Sequence, residues 1–183
     1  QAFRQHHADL AGAGMSPERI DLALLTVGTL ALLWLSRKSL RHPGRHGFYR
    51  FFVWEAILGL IVLNRYPWGE PPAAFHQYIS WALMLVSICL VTCSYRALRR
   101  EGAASEARAD GTLYAFEKTT ALVTTGVFRY IRHPMYASLL ALAWGVYFQA
   151  PSWPGTALAG ITSLLLVLTA RADENECLLY FGA

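Results

Sequence analysis

Charge is scarce in this chain. Lys, Arg, Asp and Glu together make up 15% of its 183 residues, whereas 55% are hydrophobic. The apolar residues come in long blocks instead of the spaced pattern of a soluble core, which argues against a water-soluble domain and for a polytopic membrane protein. Cysteine is scarce too. Cys89, Cys93 and Cys177 form no CxxC pair and no His-paired spacing, so neither a disulfide framework nor a metal centre is expected. No basic stripe interleaved with aromatics is present, which argues against nucleic acid as a partner. The net charge of +4 is gathered in two connecting stretches and suits a cytoplasmic membrane surface. A Gly-rich dinucleotide fingerprint is also lacking. The residues from Gln1 onward are polar and contain His, unlike a basic and apolar signal sequence, so the first apolar block is expected to be a retained anchor.

What is present is a series of five apolar blocks. Ser16-Pro17 reads as an N-cap and first helical position, opening a span over about residues 20–35. Residues 36–47, SRKSLRHPGRHG, form a basic turn with a Pro-Gly break. The second span, about 48–63, carries Glu55 near its middle. A carboxyl at that depth is expensive and usually faces the protein interior, which makes Glu55 a candidate catalytic group; the alternative is a paired or protonated structural glutamate. Residues 64–77, rich in Pro with Tyr and Trp, suit an interfacial loop. In the third span, about 78–95, Cys89 and Cys93 share a helical face, where they are expected as small packing residues. Residues 96–131 make the longest polar connection, and its aromatic second half is expected to lie folded on the membrane surface. Pro134 suits the first position of a fourth span, to about residue 149, and a fifth span at about 154–170 returns antiparallel to it.

Counting Lys and Arg, the connections after the first, third and fifth spans hold thirteen, and the opposite side holds three. By the positive-inside rule the N-terminus lies outside, and the ends of the odd-numbered spans face the cytoplasm. Two polar clusters then share the cytoplasmic face: RYIRHPMY at residues 129–136, and Asp173, Glu174 and Glu176. Arg132 offers a planar fork for a carboxylate or phosphate, and His133 a donor or acceptor near neutral pH, both at a helix N-terminus that favours an anion. Asp173 and Glu176 are three apart and share a helical face, with Glu174 turned aside. Such carboxylates suit a cation, an amine or ribose hydroxyls. Taken separately, each cluster reads more readily as an ordinary basic flank or a solvated acidic tail. Histidine, however, is a poor N-cap, so capping does not account for His133 before Pro134.

The run Gly126-Val127-Phe128-Arg129-Tyr130-Ile131-Arg132-His133-Pro134-Met135-Tyr136, an antiparallel helix pair, then Asp173-Glu174-Asn175-Glu176 leading into Leu178, Leu179, Phe181 and Gly182 resembles one family. It is similar to the integral-membrane methyltransferases that include isoprenylcysteine carboxyl methyltransferases and phospholipid N-methyltransferases. The resemblance implies an all-α, polytopic fold of about five transmembrane helices in a single domain, residues 1–183. It also implies a cytosolic cofactor site, formed by the loop before the fourth helix and the segment after the fifth. It further implies S-adenosylmethionine as cofactor and a lipophilic acceptor arriving from membrane lipid, an isoprenylcysteine-like carboxylate first, a phospholipid amine or small thiol as alternatives. By matching position, Arg132, His133, Pro134, Tyr136 and Glu174 belong to the cofactor-binding motif, and Asp173 stands where the first of two glutamates is usual. In the family pattern the chain continues past FG with a Tyr-containing segment, whereas this sequence stops at Ala183.

Methyl transfer from a sulfonium is an in-line displacement in which the protein mainly aligns the partners and excludes water. A carboxylate acceptor needs no base; an amine or thiol must lose a proton, for which Glu55, Glu117 or His133 are candidates. His133 and Arg132 are thus candidate catalytic residues beside Glu55, and Tyr114, Phe116, Tyr136 and Trp144 are candidate pocket walls. Acceptor specificity is expected to reside in the first three spans. Two rival readings are a nicotinamide-dependent, sterol-reductase-like enzyme, whose chains usually have about twice as many spans, and a small permease or structural membrane protein. The latter predicts polar residues along several spans, yet Glu55 stands almost alone.

Overall fold

The computed structural model describes residues 16–65, 68, 74–102, 119–121 and 123–182. Five helices follow in order: α1 (Pro17–Ser36), α2 (His46–Leu63), α3 (Phe75–Glu101), α4 (Pro134–Tyr147) and α5 (Trp153–Phe181). Short 3-10 turns at Ser39–Arg41 and Gly126–Arg129 precede α2 and α4. No strand occurs among the described residues, and the all-helical layout agrees with the five apolar blocks. The helix starts are local. Pro17 and Pro134 occupy the first turns of α1 and α4, where a missing N–H costs nothing, and the Ser152 hydroxyl caps α5 by accepting from the Gly155 N–H.

Among the described residues four helices, α1, α2, α3 and α5, are long and apolar enough to cross a membrane. The fourth expected span, residues 134–149, is a helix of only 14 residues. At 1.5 Å per residue that is about 21 Å, short of the roughly 30 Å hydrocarbon core. Its last carbonyls therefore end inside the protein, away from water, and side chains of neighbouring elements satisfy them. Ser80 donates to the Gly145 carbonyl, Asn64 to that of Val146, and His76 stands 2.7 Å from that of Phe148. Gln149 closes this network by donating to Ser80.

Conversely, α5 has 29 residues and is about 44 Å long. The expected end of the fifth span at residue 170 is not a helix end: Asp173, Glu174 and Glu176 stand on the same helix, not on a segment after it. Continuing the helix saves the acidic turn from having unpaired carbonyls and fixes its direction relative to the apolar part.

The core lies between α2, α4 and α5, where Val53, Ile57, Leu60, Ala143, Val146, Ala159 and Leu166 are buried together. Extensive faces join α2 to α5 and α3 to α4, the latter brought close by Gly145, which rests against Met84 and the Ser80 carbonyl. Among the described residues helix α1 packs chiefly on α2, and Leu22, Val27, Leu30 and Trp34 face outward, as suits a helix whose outer surface meets lipid. Cys89 and Cys93, expected as packing residues, instead stand on the exposed side of α3, because an apolar helix at the membrane boundary carries small apolar residues on either face.

Candidate functional site

Antiparallel packing collects one set of helix ends. The C-terminal ends of α1, α3 and α5 and the N-terminal ends of α2 and α4 share one face. Several contacts mark it: His46 of α2 with Glu176 of α5, His133 before α4 with Glu174 of α5, and the Gly102 carbonyl after α3 with the Thr120 N–H.

His133 occupies the N-cap position of α4, yet its side chain makes no capping bond. The imidazole turns toward α5 instead. Its Nε2 lies 3.1 Å from Glu174 Oε1, and its Nδ1 lies 3.5 Å from Asp173 Oδ2. Two carboxylates facing the two ring nitrogens favour the form in which both nitrogens donate. The hydrogen bond to Asp173, aided by that to Glu174, raises the His133 pKa above its ordinary value of 6.5, against the opposing effect of burial. Tyr136, one turn into α4, stacks on the His133 ring at 5.5 Å between centroids and also hydrogen-bonds Asp173. Pro134 is buried beneath them, and the Ala137 N–H donates to the His133 carbonyl to begin the helix. Arg132 is 87% exposed and lies 3.7 Å from Glu174. It stands at the rim.

A cavity of about 530 Å³ opens beside this cluster, within the usual few-hundred to roughly 1,000 Å³ of small-molecule sites. Arg132, His133, Pro134, Tyr136, Asp173 and Glu174 all line it, so the two clusters read from the sequence form one wall. Val123, Phe128, Met135 and Leu178 supply apolar lining, giving a polar end and an oily remainder. Glu55 is not among the lining residues. It sits in the middle of α2, where its Oε2 accepts from Thr29 of α1 at 2.9 Å and its buried Oε1 has no partner. Trp144 likewise lies elsewhere, donating from Nε1 to Ser163. Tyr114, Phe116 and Glu117 lie outside the described residues.

Sequence reasoning missed His46. This first residue of α2 is 1% exposed and lines the cavity. Its backbone N–H donates to Glu176 Oε1 at 2.9 Å and its Nδ1 meets Glu176 Oε2 at 3.0 Å, so one carboxylate grips both the helix start and the ring. The available signal was a histidine closing the basic turn RHPGRHG, hidden among cations that look like membrane flank.

Residues 75–179 match the model of a phospholipid methyltransferase family, which covers more than half of the chain. That stretch takes in α3, α4 and nearly all of α5, with His133, Asp173 and Glu174, and excludes His46 and Glu55. None of the curated proteins and none of the solved structures compared with the chain matches it.

Proposed function

The chain belongs to the phospholipid methyltransferase family, and from that membership we propose that it transfers a methyl group from S-adenosylmethionine to a lipophilic, membrane-partitioned acceptor. The observation that carries this reading is His133 gripped by Asp173 and Glu174 on the wall of a half-apolar cavity. Those donors fit the group. An amino-acid ammonium and ribose hydroxyls suit Asp173 and Glu174, whereas its carboxylate suits Arg132 and His133, the latter inclined to the cationic form. Bound there, S-adenosylmethionine supplies a methyl group on a sulfonium, already activated by its positive charge.

The chain's own work is alignment and exclusion of water. Tyr136 and Pro134 hold the His133 ring in place, and Val123, Phe128 and Leu178 give the acceptor's apolar part a dry path. An isoprenylcysteine-like carboxylate, a phospholipid amine and a small thiol are the acceptors to be compared, the first from the sequence resemblance and the second from the family whose model matches. The site is proposed to face the cytoplasm with the N-terminus outside. Arg37, Lys38, Arg41, Arg45, Arg99 and Arg100 all fall near the helix ends that surround the cavity, which supports this orientation.

Calorimetry on the purified protein in detergent tests the reading, with S-adenosylhomocysteine and NADPH as ligands. Wild type is expected to bind the first and not the second, and Glu174→Ala to bind it more weakly. Absence of wild-type binding to S-adenosylhomocysteine would sink the proposal. Labelled methyl followed into lipid extracts, prenylcysteine analogues and thiols then identifies the acceptor.

A further inference from the structure

We propose that His46 is the proton acceptor of the transfer, held in its working tautomer by Glu176. This rests on the methyl-transfer reading above and goes beyond it by assigning a base, which has work to do only where the acceptor is an amine or a thiol.

Glu176 as a carboxylate can only accept, and its two oxygens take the backbone N–H and the ring Nδ1 of His46. Nδ1 therefore carries the hydrogen, and in the neutral ring the lone pair belongs to Nε2. Nε2 has no hydrogen-bond partner among the described residues, although the ring is almost wholly buried and lines the cavity. A basic nitrogen on a cavity wall with no hydrogen-bond partner among the described residues is open to a ligand there. Fastening α2 to α5 would not by itself require an imidazole, because the carboxylate already takes the backbone N–H. The ring adds a second bond to Glu176 and presents a base. Carboxylate, imidazole and substrate proton in series are the arrangement in which an oriented histidine takes a proton.

Among the described residues, the other candidates for this role are occupied or distant. Both nitrogens of His133 face carboxylates, and Asp173 is engaged by His133 and Tyr136. Glu55 is not on the cavity. For an amine, the nitrogen lone pair forms a bond to the methyl carbon as the carbon–sulfur bond breaks, and that electron pair stays on sulfur as a neutral thioether. The N–H proton passes to His46 Nε2, the resulting imidazolium faces Glu176, and the proton then leaves to water. A thiol gives up its S–H proton the same way. A carboxylate acceptor, already ionised, would leave His46 without a task.

Among the described residues, the charged and titratable groups around His46 are Glu176 and Asp173, with His133, Glu174, Arg132, Tyr136 and Cys177 on the same cavity and Arg45 acting on Glu176. The test uses the full chain in detergent with His46→Asn, whose amide can still donate to Glu176, and with Glu176→Gln. S-Adenosylhomocysteine affinity, methyl transfer to a phospholipid amine, an alkyl thiol and a prenylcysteine carboxylate, and pH–rate profiles are measured together. Expected for the amine or thiol is a kcat loss of about 10²–10⁴-fold in His46→Asn, the general range for a positioned base, with S-adenosylhomocysteine affinity within a few-fold of wild type. The acid limb of the profile disappears in that variant. In Glu176→Gln a smaller kcat loss is expected, since the ring is present but no longer held in one tautomer. Ring-nitrogen NMR of wild type gives a readout independent of any variant's folding: Nδ1–H is expected for His46, and an Nε2–H tautomer overturns the assignment. Unchanged kcat and acid limb in His46→Asn, or wild type that methylates only the carboxylate, overturns it as well. Wild type that binds no S-adenosylhomocysteine overturns the methyl-transfer reading itself, a result distinct from intact binding with an indifferent His46.

Discussion

Asp173 and Glu174 are adjacent carboxylates on one turn of α5, yet they should contribute unequally to holding an S-adenosyl ligand. Asp173 is 25% exposed and sits behind His133 and Tyr136, whereas Glu174 is 44% exposed at the rim with Arg132. A hydrogen bond to a charged, mostly buried group is worth about 1.5–3 kcal/mol, and an exposed ion pair about 0.2–1 kcal/mol. At about 1.4 kcal/mol per tenfold in Kd, Asp173→Asn should weaken S-adenosylhomocysteine by roughly 10- to 150-fold and Glu174→Gln by no more than about fivefold. Both substitutions keep shape and remove charge. Calorimetry in one detergent, at one pH and salt, reads the two losses directly, and a thermal melt of each variant shows whether the site remains folded. Equal losses, or a greater loss in Glu174→Gln, would refute the argument that burial sets the ranking. The result bears on the family pattern too, because Asp173 is the position where this chain departs from the usual glutamate.

Three further outcomes follow from the same geometry. Gly145→Val should lower stability by about 1–3 kcal/mol, read as a lower thermal midpoint. A Cβ there would meet Met84 Cγ at 2.9 Å, and the Met84 nitrogen and Ser80 carbonyl at 3.3 Å; the methionine can move but the backbone of α3 cannot. The His133 pKa is raised, chiefly by Asp173, so the pairing stabilises the unliganded fold fully below the ordinary 6.5 and is lost as pH rises through the folded-state value. The wild-type melting temperature should therefore fall more than that of His133→Gln between about pH 6 and about pH 8.5, and parallel curves would contradict the sign. Glu55→Gln should leave S-adenosylhomocysteine affinity within about twofold, a shift below roughly 0.5 kcal/mol, because Glu55 faces Thr29 and not the cavity; a larger loss would return Glu55 to the site.

Those outcomes also mark where sequence reasoning reached and where it stopped. Helix starts at Ser16-Pro17 and before Pro134 were legible because proline's fixed φ and missing N–H act within one turn, without a side-chain cap at either. The joining of RYIRHPMY to the acidic turn was legible through the antiparallel return of α5 on α4, a connection of a few residues. The length of α4 was not, since what ends it is Ser80, Asn64 and His76, which reach its carbonyls from 65 to 82 residues away in the chain. Depth in an apolar block singled out Glu55, but burial marks a carboxyl as unusual without saying which wall it faces, and here it meets Thr29. His46 failed for the converse reason. Its partner Glu176 is 130 residues away, and only the packing of α2 on α5 brings them together. Composition around His46 is that of a membrane flank, so its residue type carries no local signal. What distinguishes it is a relation: one nitrogen fixed by a carboxylate, the other unpaired on a cavity wall. Relations of that kind arise from helix packing, and a basic turn followed by a span can be scanned for them only once the partner helix is in place.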